Sequence, residues 1–193
     1  MPPKAKFTRE EVIEAAVELT RAGGAGAVTA RALGARLGTS PKPIFGLFRN
    51  MEELQEEVIR AAQERYLGFI REEQAAGKYP PYKSSGMAYI RFAGEEPELF
   101  RLLFMRDRSR EKKEKTSVWD PDTVSLIAAL RERTGLSQEE AERLHTENWI
   151  FVHGIATMVA TSYLTFDTDF ISESMSDIFL GLYDRFKRKG EKQ

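Results

Sequence analysis

Residues 28–54, VTARALGARLGTSPKPIFGLFRNMEEL, carry the reading of the fold. They spell two short helices joined by a tight turn, the layout of a helix-turn-helix. Leu33, Leu37, Ile44 and Leu47 fall where two such helices would press together, and Gly34 is small where their backbones must come close. Gly38 follows the last periodic residue, where a left-handed residue ends a helix without a Cβ clash. Thr29 reads as the cap of the first of the pair, with Val28 stapled onto Leu33. Ser40 and Pro41 read as N-cap and first turn of the second, expected over about 41–48. In a DNA-binding helix-turn-helix the second helix enters the major groove. The same apolar spacing also allows an ordinary αα-hairpin.

Working outward, the chain reads as helices throughout, about nine, with no alternating β pattern. Thr8 and Glu11 form a capping box for a first helix to about Ala22, buried along Val12, Ala16 and Leu19. A long fourth helix is expected from Met51 to Ala76, stopped by Gly77. A fifth covers about Tyr82 to Ala93, and Pro97 opens a sixth. Residues 107–117, DRSREKKEKTS, are charged and apolar-free and read as a linker. Asp120-Pro121 starts a seventh helix ending at Gly135. Ser137 and Glu140 box an eighth to about Leu164, and a ninth runs from about Asp169 to Lys189.

Composition narrows the function classes. The 193 residues contain no cysteine, so disulfides and thiolate metal sites are excluded, which suits a reducing cytoplasm. No apolar run of membrane-spanning length and no signal-peptide core occurs, so no membrane association is expected. The whole chain carries −1. Residues 1–50 hold eight cations (Lys4, Lys6, Arg9, Arg21, Arg31, Arg36, Lys42, Arg49) against four Glu, a net +4 that leaves −5 for 51–193. A basic head on an acidic body localises phosphate attraction at one end. With His145 and His153 as the only histidines, no transition-metal spacing exists, and Asp120-x-Asp122 and Asp167-x-Asp169 read as helix caps. No cofactor and no metal are expected. No nucleophile elbow, phosphate loop, dinucleotide fingerprint or His–Cys pair is present, so the chain does not read as an enzyme.

The order of helices, and the run Ser40-Pro-Lys-Pro-Ile-Phe-Gly-Leu-Phe-Arg-Asn-Met-Glu-Glu-Leu54, resemble the TetR family of transcriptional regulators, whose helix-turn-helix ends in a pattern like S-x-x-x-L-Y-x-Y-F-x-x-K-E-x-L. Trp149, His153 and Gly154 resemble the W…HG signature of one C-terminal class of that family. The resemblance implies an all-α fold: a three-helix DNA-binding head over 1–50 and a helical effector-binding and dimerisation domain over 51–193. It implies a regulator, expected to be a repressor, that binds palindromic double-stranded operator DNA as a homodimer and is released by a small, largely apolar effector. Two departures stand out. Phe45 replaces a usual Tyr and Met51 a usual Lys, so two phosphate anchors are missing. That favours as an alternative a helical ligand-binding protein with a weakened DNA-binding head.

Residue chemistry then nominates sites. Lys42 and Arg49 are cations beside the groove. Thr39 and Ser40 offer hydroxyls near the start of the reading helix. Thr29 and Arg31 open the helix that crosses the backbone, and Pro43 and Phe45 complete the DNA-facing set. Phe92, Phe100, Phe104, Met105, Trp149 and His153 are the effector candidates. The large apolar ones read as core filling before ligand contact, as His153 reads as a hydrogen-bonded core histidine before a ligand contact, and His145 is expected to be exposed. The stripe Ile171, Met175, Ile178, Leu182 and Phe186, with Gly181 for close approach, is the expected dimer face.

Overall fold

Helix α1, Arg9–Gly23, starts as its sequence dictates. Thr8 accepts the Glu11 amide, and the Glu11 side chain returns to the Thr8 amide at 2.8 Å. The computed structural model describes residues 7–107 and 119–190, so Lys4, Lys6 and nearly all of the expected linker lie outside the described residues. Its other α-helices are α2 (Ala30–Arg36), α3 (Met51–Ala76), α4 (Pro81–Glu95), α5 (Pro97–Phe104), α6 (Pro121–Thr134), α7 (Gln138–Ala160) and α8 (Thr168–Gly190). Every regular element among the described residues is helical, as the apolar periodicity predicts. Thr29, Asp120 and Ser137 all cap their helices through side-chain oxygens.

One predicted helix is replaced by something tighter. Residues 41–48 form no α-helix, only a single 3-10 turn at Ile44–Gly46. Its bonds run from Ile44 N–H to Pro41 C=O at 3.1 Å and from Leu47 N–H to Ile44 C=O at 3.0 Å. Two prolines explain this. Neither supplies an amide hydrogen, Pro43 disfavours helical geometry at Lys42, and Gly46 lowers helix propensity further. Ser40 consequently caps nothing among the described residues.

The turn before it is specified closely. Gly38 is left-handed (φ 62°), and the Thr39 and Gly38 amides bond back to the carbonyls of Gly34 and Ala35 at 2.8 and 3.3 Å. This is a Schellman ending. The chain folds back so tightly that a Cβ on Gly34 would lie 2.7 Å from the Thr39 carbonyl oxygen.

Two compact units contain these elements, one of residues 7–69 with 92–107, the other of 70–91 with 119–190. Compactness thus groups the chain differently from the division at residue 50 expected from the sequence. In the first unit α1 packs on α2 and α5, with Val12, Ala16, Leu33, Ile44, Phe48, Leu54 and Val58 buried. Leu19 is only half-buried, and Ala15, Val17 and Thr20 fill its expected place. In the second unit α7 packs on α6 and α8. Its core gathers Ile127, Leu130, Leu136, Ala141, Leu144 and Phe186. Helix α7 ends at Ala160, four residues short of expectation. The Thr161 amide bonds Thr157 C=O, and Ser162 turns the chain with φ 54°.

Candidate nucleic-acid interface

The head's charge is distributed by ion pairing rather than by composition. Arg9 is an internal clamp. It donates to Leu47 C=O at 2.8 Å and to Glu53 and Glu57 at 2.9 and 2.8 Å, and its guanidinium lies over the Phe48 ring. This ties α1 to the start of α3. Arg21 and Arg65 both grip Glu96, whose side chain is 4% exposed, at 2.7 and 2.6 Å. Arg36 stands 3.9 Å from Glu18. Glu53 accepts the Arg49 backbone amide at 2.8 Å and also pairs with Arg9 and the Arg49 side chain, which holds its carboxyl down at about 2. Among the described residues, Arg31 and Lys42 form no ion pair. Basic composition therefore overstates the cations available to an outside phosphate: among the described residues of the head, Arg31 and Lys42 are the cations outside any ion pair.

The residues expected to face DNA come to the surface. Thr29, Arg31, Ser40, Lys42, Pro43, Phe45 and Arg49 are exposed and Thr39 is half-buried. Thr29 accepts the Ala32 amide at 3.1 Å, yet its hydroxyl keeps its own proton to donate. The Arg49 side chain is 86% exposed, although its Nε sits 3.1 Å from Glu53. Such a surface, with hydroxyls, two uncommitted cations and an extending guanidinium, can bind phosphate oxygens and leave a short element free for base edges.

The effector candidates divide between the two units. Phe92, Phe100, Phe104 and Met105 belong to the first, Trp149 and His153 to the second. Phe92 and Phe100 are wholly buried. Phe92 packs on Tyr66 and Phe69 at ring distances of 5.4 and 5.3 Å, and Phe104 meets Tyr66 edge-on. Met105 is exposed. These four are therefore placed as interlocked core and one surface residue. Trp149 stacks on His153 at 4.9 Å, and His153 Nδ1 shares a 2.8 Å hydrogen bond with the Tyr89 hydroxyl.

Around this pair lies a constellation that sequence reasoning missed. His145, expected outside, is buried. Its Nδ1 is 3.1 Å from the Tyr82 hydroxyl, and the Trp119 ring meets it edge-on at 4.9 Å. Burial pushes its pKa down to about 4, so it is neutral near pH 7. Its Nε2 and the Oδ1 of buried Asn148 have no hydrogen-bond partner among the described residues. A signal was present: His145, Asn148, Trp149 and His153 fall on one helical face, where an amide beside two imidazoles marks an inward polar stripe.

The dimer stripe needs a correction. Ile171, Met175 and Phe186 are buried within the chain itself, because α8 turns that stripe inward. Leu182 is half-buried against the second unit's core, and Ile178 and Gly181 face outward. An apolar cleft of about 400 Å³ lies along α7 and α8, lined by Phe151, Ile155, Met158, Phe166, Phe170 and Ile178. Exposed Ile150 and Leu180 add to that unit's apolar surface.

Comparison with known families follows the geometry. Residues 12–58 match the family model described as bacterial regulatory proteins, tetR family. Residues 83–179, just over half the chain, match the tetracyclin repressor-like C-terminal domain. The chain belongs to the TetR family of transcriptional regulators. No curated protein matches the sequence. Among the described residues no helix is long and apolar enough to cross a membrane.

Proposed function

We propose that this regulator is a repressor that binds a palindromic operator as a homodimer and is released by a small, largely apolar effector. The observation that carries the DNA half is the exposed set Thr29, Arg31, Ser40, Lys42, Pro43, Phe45 and Arg49 on the helix-turn-helix head. Thr29, Arg31, Thr39, Ser40 and Arg49 hold phosphates, while Lys42, Pro43 and Phe45 face the groove. Two heads need half-sites one turn, roughly 34 Å, or a multiple of it apart, which calls for a second copy. The cleft along α7 and α8 supports that copy as its occupant. It is apolar and open, and a face of this kind completes itself under twofold symmetry.

The effector half is supported by His145 Nε2 and Asn148 Oδ1, buried and unpartnered beside Trp119 and Trp149. A buried polar atom without a partner costs free energy that a bound polar group recovers. An apolar body carrying one such group would bind there, and it releases DNA only if it prefers the DNA-incompetent state. The division of labour into a DNA-binding head over 1–50 and an effector and dimer domain over 51–193 belongs to this proposal. The test is a gel shift on the DNA upstream of the protein's own gene across a salt series. A retarded band whose affinity falls steeply with salt supports the reading. A chain that retards no duplex while binding apolar ligands is instead a ligand-binding protein with a weakened head.

A further inference from the structure

We infer that the operator is read chiefly through the 5-methyl groups of thymines, with Phe45 as the reading side chain. The inference rests on the DNA-binding reading above and adds the chemistry of its specificity.

Residues 41–48 are poor in polar side chains. Across Pro41-Lys-Pro-Ile-Phe-Gly-Leu-Phe48 only Lys42 carries a side-chain hydrogen-bonding group. Base pairs are told apart in the major groove by donors, acceptors and the thymine methyl. A surface with one donor and no acceptor can address few of the first two kinds. The methyl is the feature an apolar surface recognises.

The 3-10 turn then decides which apolar group is offered. Ile44 is 1% exposed and Phe45 is 46% exposed, so the turn sends one large side chain into the core and its neighbour outward. Single exposed apolar residues are ordinary on any protein. This one is set apart by its flanks. Pro43 and Gly46 are exposed on either side, and a Cβ built on Gly46 would meet nothing within 4 Å. Nothing inside the chain therefore requires glycine at 46, and its missing side chain leaves the Phe45 ring unscreened toward an approaching groove. Phe45 also lacks the hydroxyl that a tyrosine would direct to a phosphate oxygen, so its contact energy is apolar.

The experiment selects duplexes from a random 30-base-pair pool with the full-length protein, then replaces thymines in the recovered site one at a time by uracil. Uracil keeps the base pair and its groove acceptor and loses only the methyl. At fixed salt, fluorescence anisotropy is expected to show symmetry-related positions where uracil weakens binding about fourfold each, the worth of one buried methyl-sized group. Phe45→Ala should bind more weakly and no longer distinguish thymine from uracil, while Phe45→Leu, which keeps an apolar tip, retains a thymine preference. Equal binding of thymine and uracil duplexes by the unaltered protein overturns the inference, as does a thymine preference that survives Phe45→Ala. A selection that enriches no sequence overturns the DNA-binding reading itself, and this inference with it.

Discussion

The helix-turn-helix surface and the α7–α8 face are built from opposite materials. The first is small, with hydroxyls and cations around one exposed ring at Phe45, and is carried on short elements held in place by Schellman geometry and the Arg9 clamp. The second is long and apolar, with Phe170, Ile178 and Leu180 left in water on well-formed helices. Coulombic contacts with phosphates are screened and displaced by salt, whereas apolar burial is not. On the proposed reading, the difference divides operator affinity into two separable parts. Salt should tune one, and charge placed on the apolar face should abolish the other.

The largest effect should come from breaking the apolar side. Phe170→Glu combined with Ile178→Glu is expected to yield a monomeric mass by light scattering at micromolar concentration. With two heads no longer joined, operator affinity should fall about 10² to 10⁴-fold. A double variant that stays dimeric would remove the α7–α8 face from the account.

The next concerns the head's frame. Glu96→Ala strips the buried carboxylate that Arg21 and Arg65 share. Both arginines are partly exposed and can return to water, so the expected loss is about 3 kcal/mol, the low end for breaking a buried pair. A urea midpoint unchanged from that of the unaltered protein would show that the Arg21–Glu96–Arg65 cluster contributes nothing.

A comparable effect is a pH dependence belonging to the second unit. His145 has a folded pKa of about 4, below its ordinary 6.5, because burial disfavours its charged form. Between those values the unfolded chain takes up a proton that the folded chain refuses. Stability is therefore full above pH 6.5 and declines as pH falls toward 4, by about 3 kcal/mol. His145→Gln should flatten that part of the stability curve. Glu53 acts in a lower window, losing its contribution as pH falls from 4.5 toward 2.

The smallest effect sharpens the polar side. Lys42→Ala should reduce the slope of log affinity against log salt by about one unit per bound head if it meets phosphate, or impair a single base position if it meets guanine. Unchanged slope and unchanged base preference would place Lys42 outside the interface.

Much of this architecture was legible in the sequence because caps are local. Thr8, Thr29, Asp120 and Ser137 mark helix starts by side-chain chemistry that needs no tertiary context, and α3 begins and ends where predicted. Residues 41–48 were misread because the apolar spacing of Ile44 and Leu47 suits a helix, while Pro43 removes the backbone geometry that a helix needs. The dimer stripe was legible only in part, for a different reason. Helical periodicity identifies an apolar face of α8 but not what covers it, and the chain's own core takes Ile171, Met175 and Phe186. His145 went astray because one histidine early in a helix carries no sign of burial until Asn148 and His153 are read on the same face. The split of the effector candidates between two units depends on long-range packing, to which local pattern is blind.

The central claim, a dimer whose polar heads grip DNA electrostatically, is tested most directly by measuring operator affinity of the intact protein against salt concentration with the stoichiometry determined in the same titration. The account predicts two protomers per duplex and an affinity that falls steeply and linearly in log–log form as salt rises. One protomer per duplex, or an affinity indifferent to salt, would contradict it.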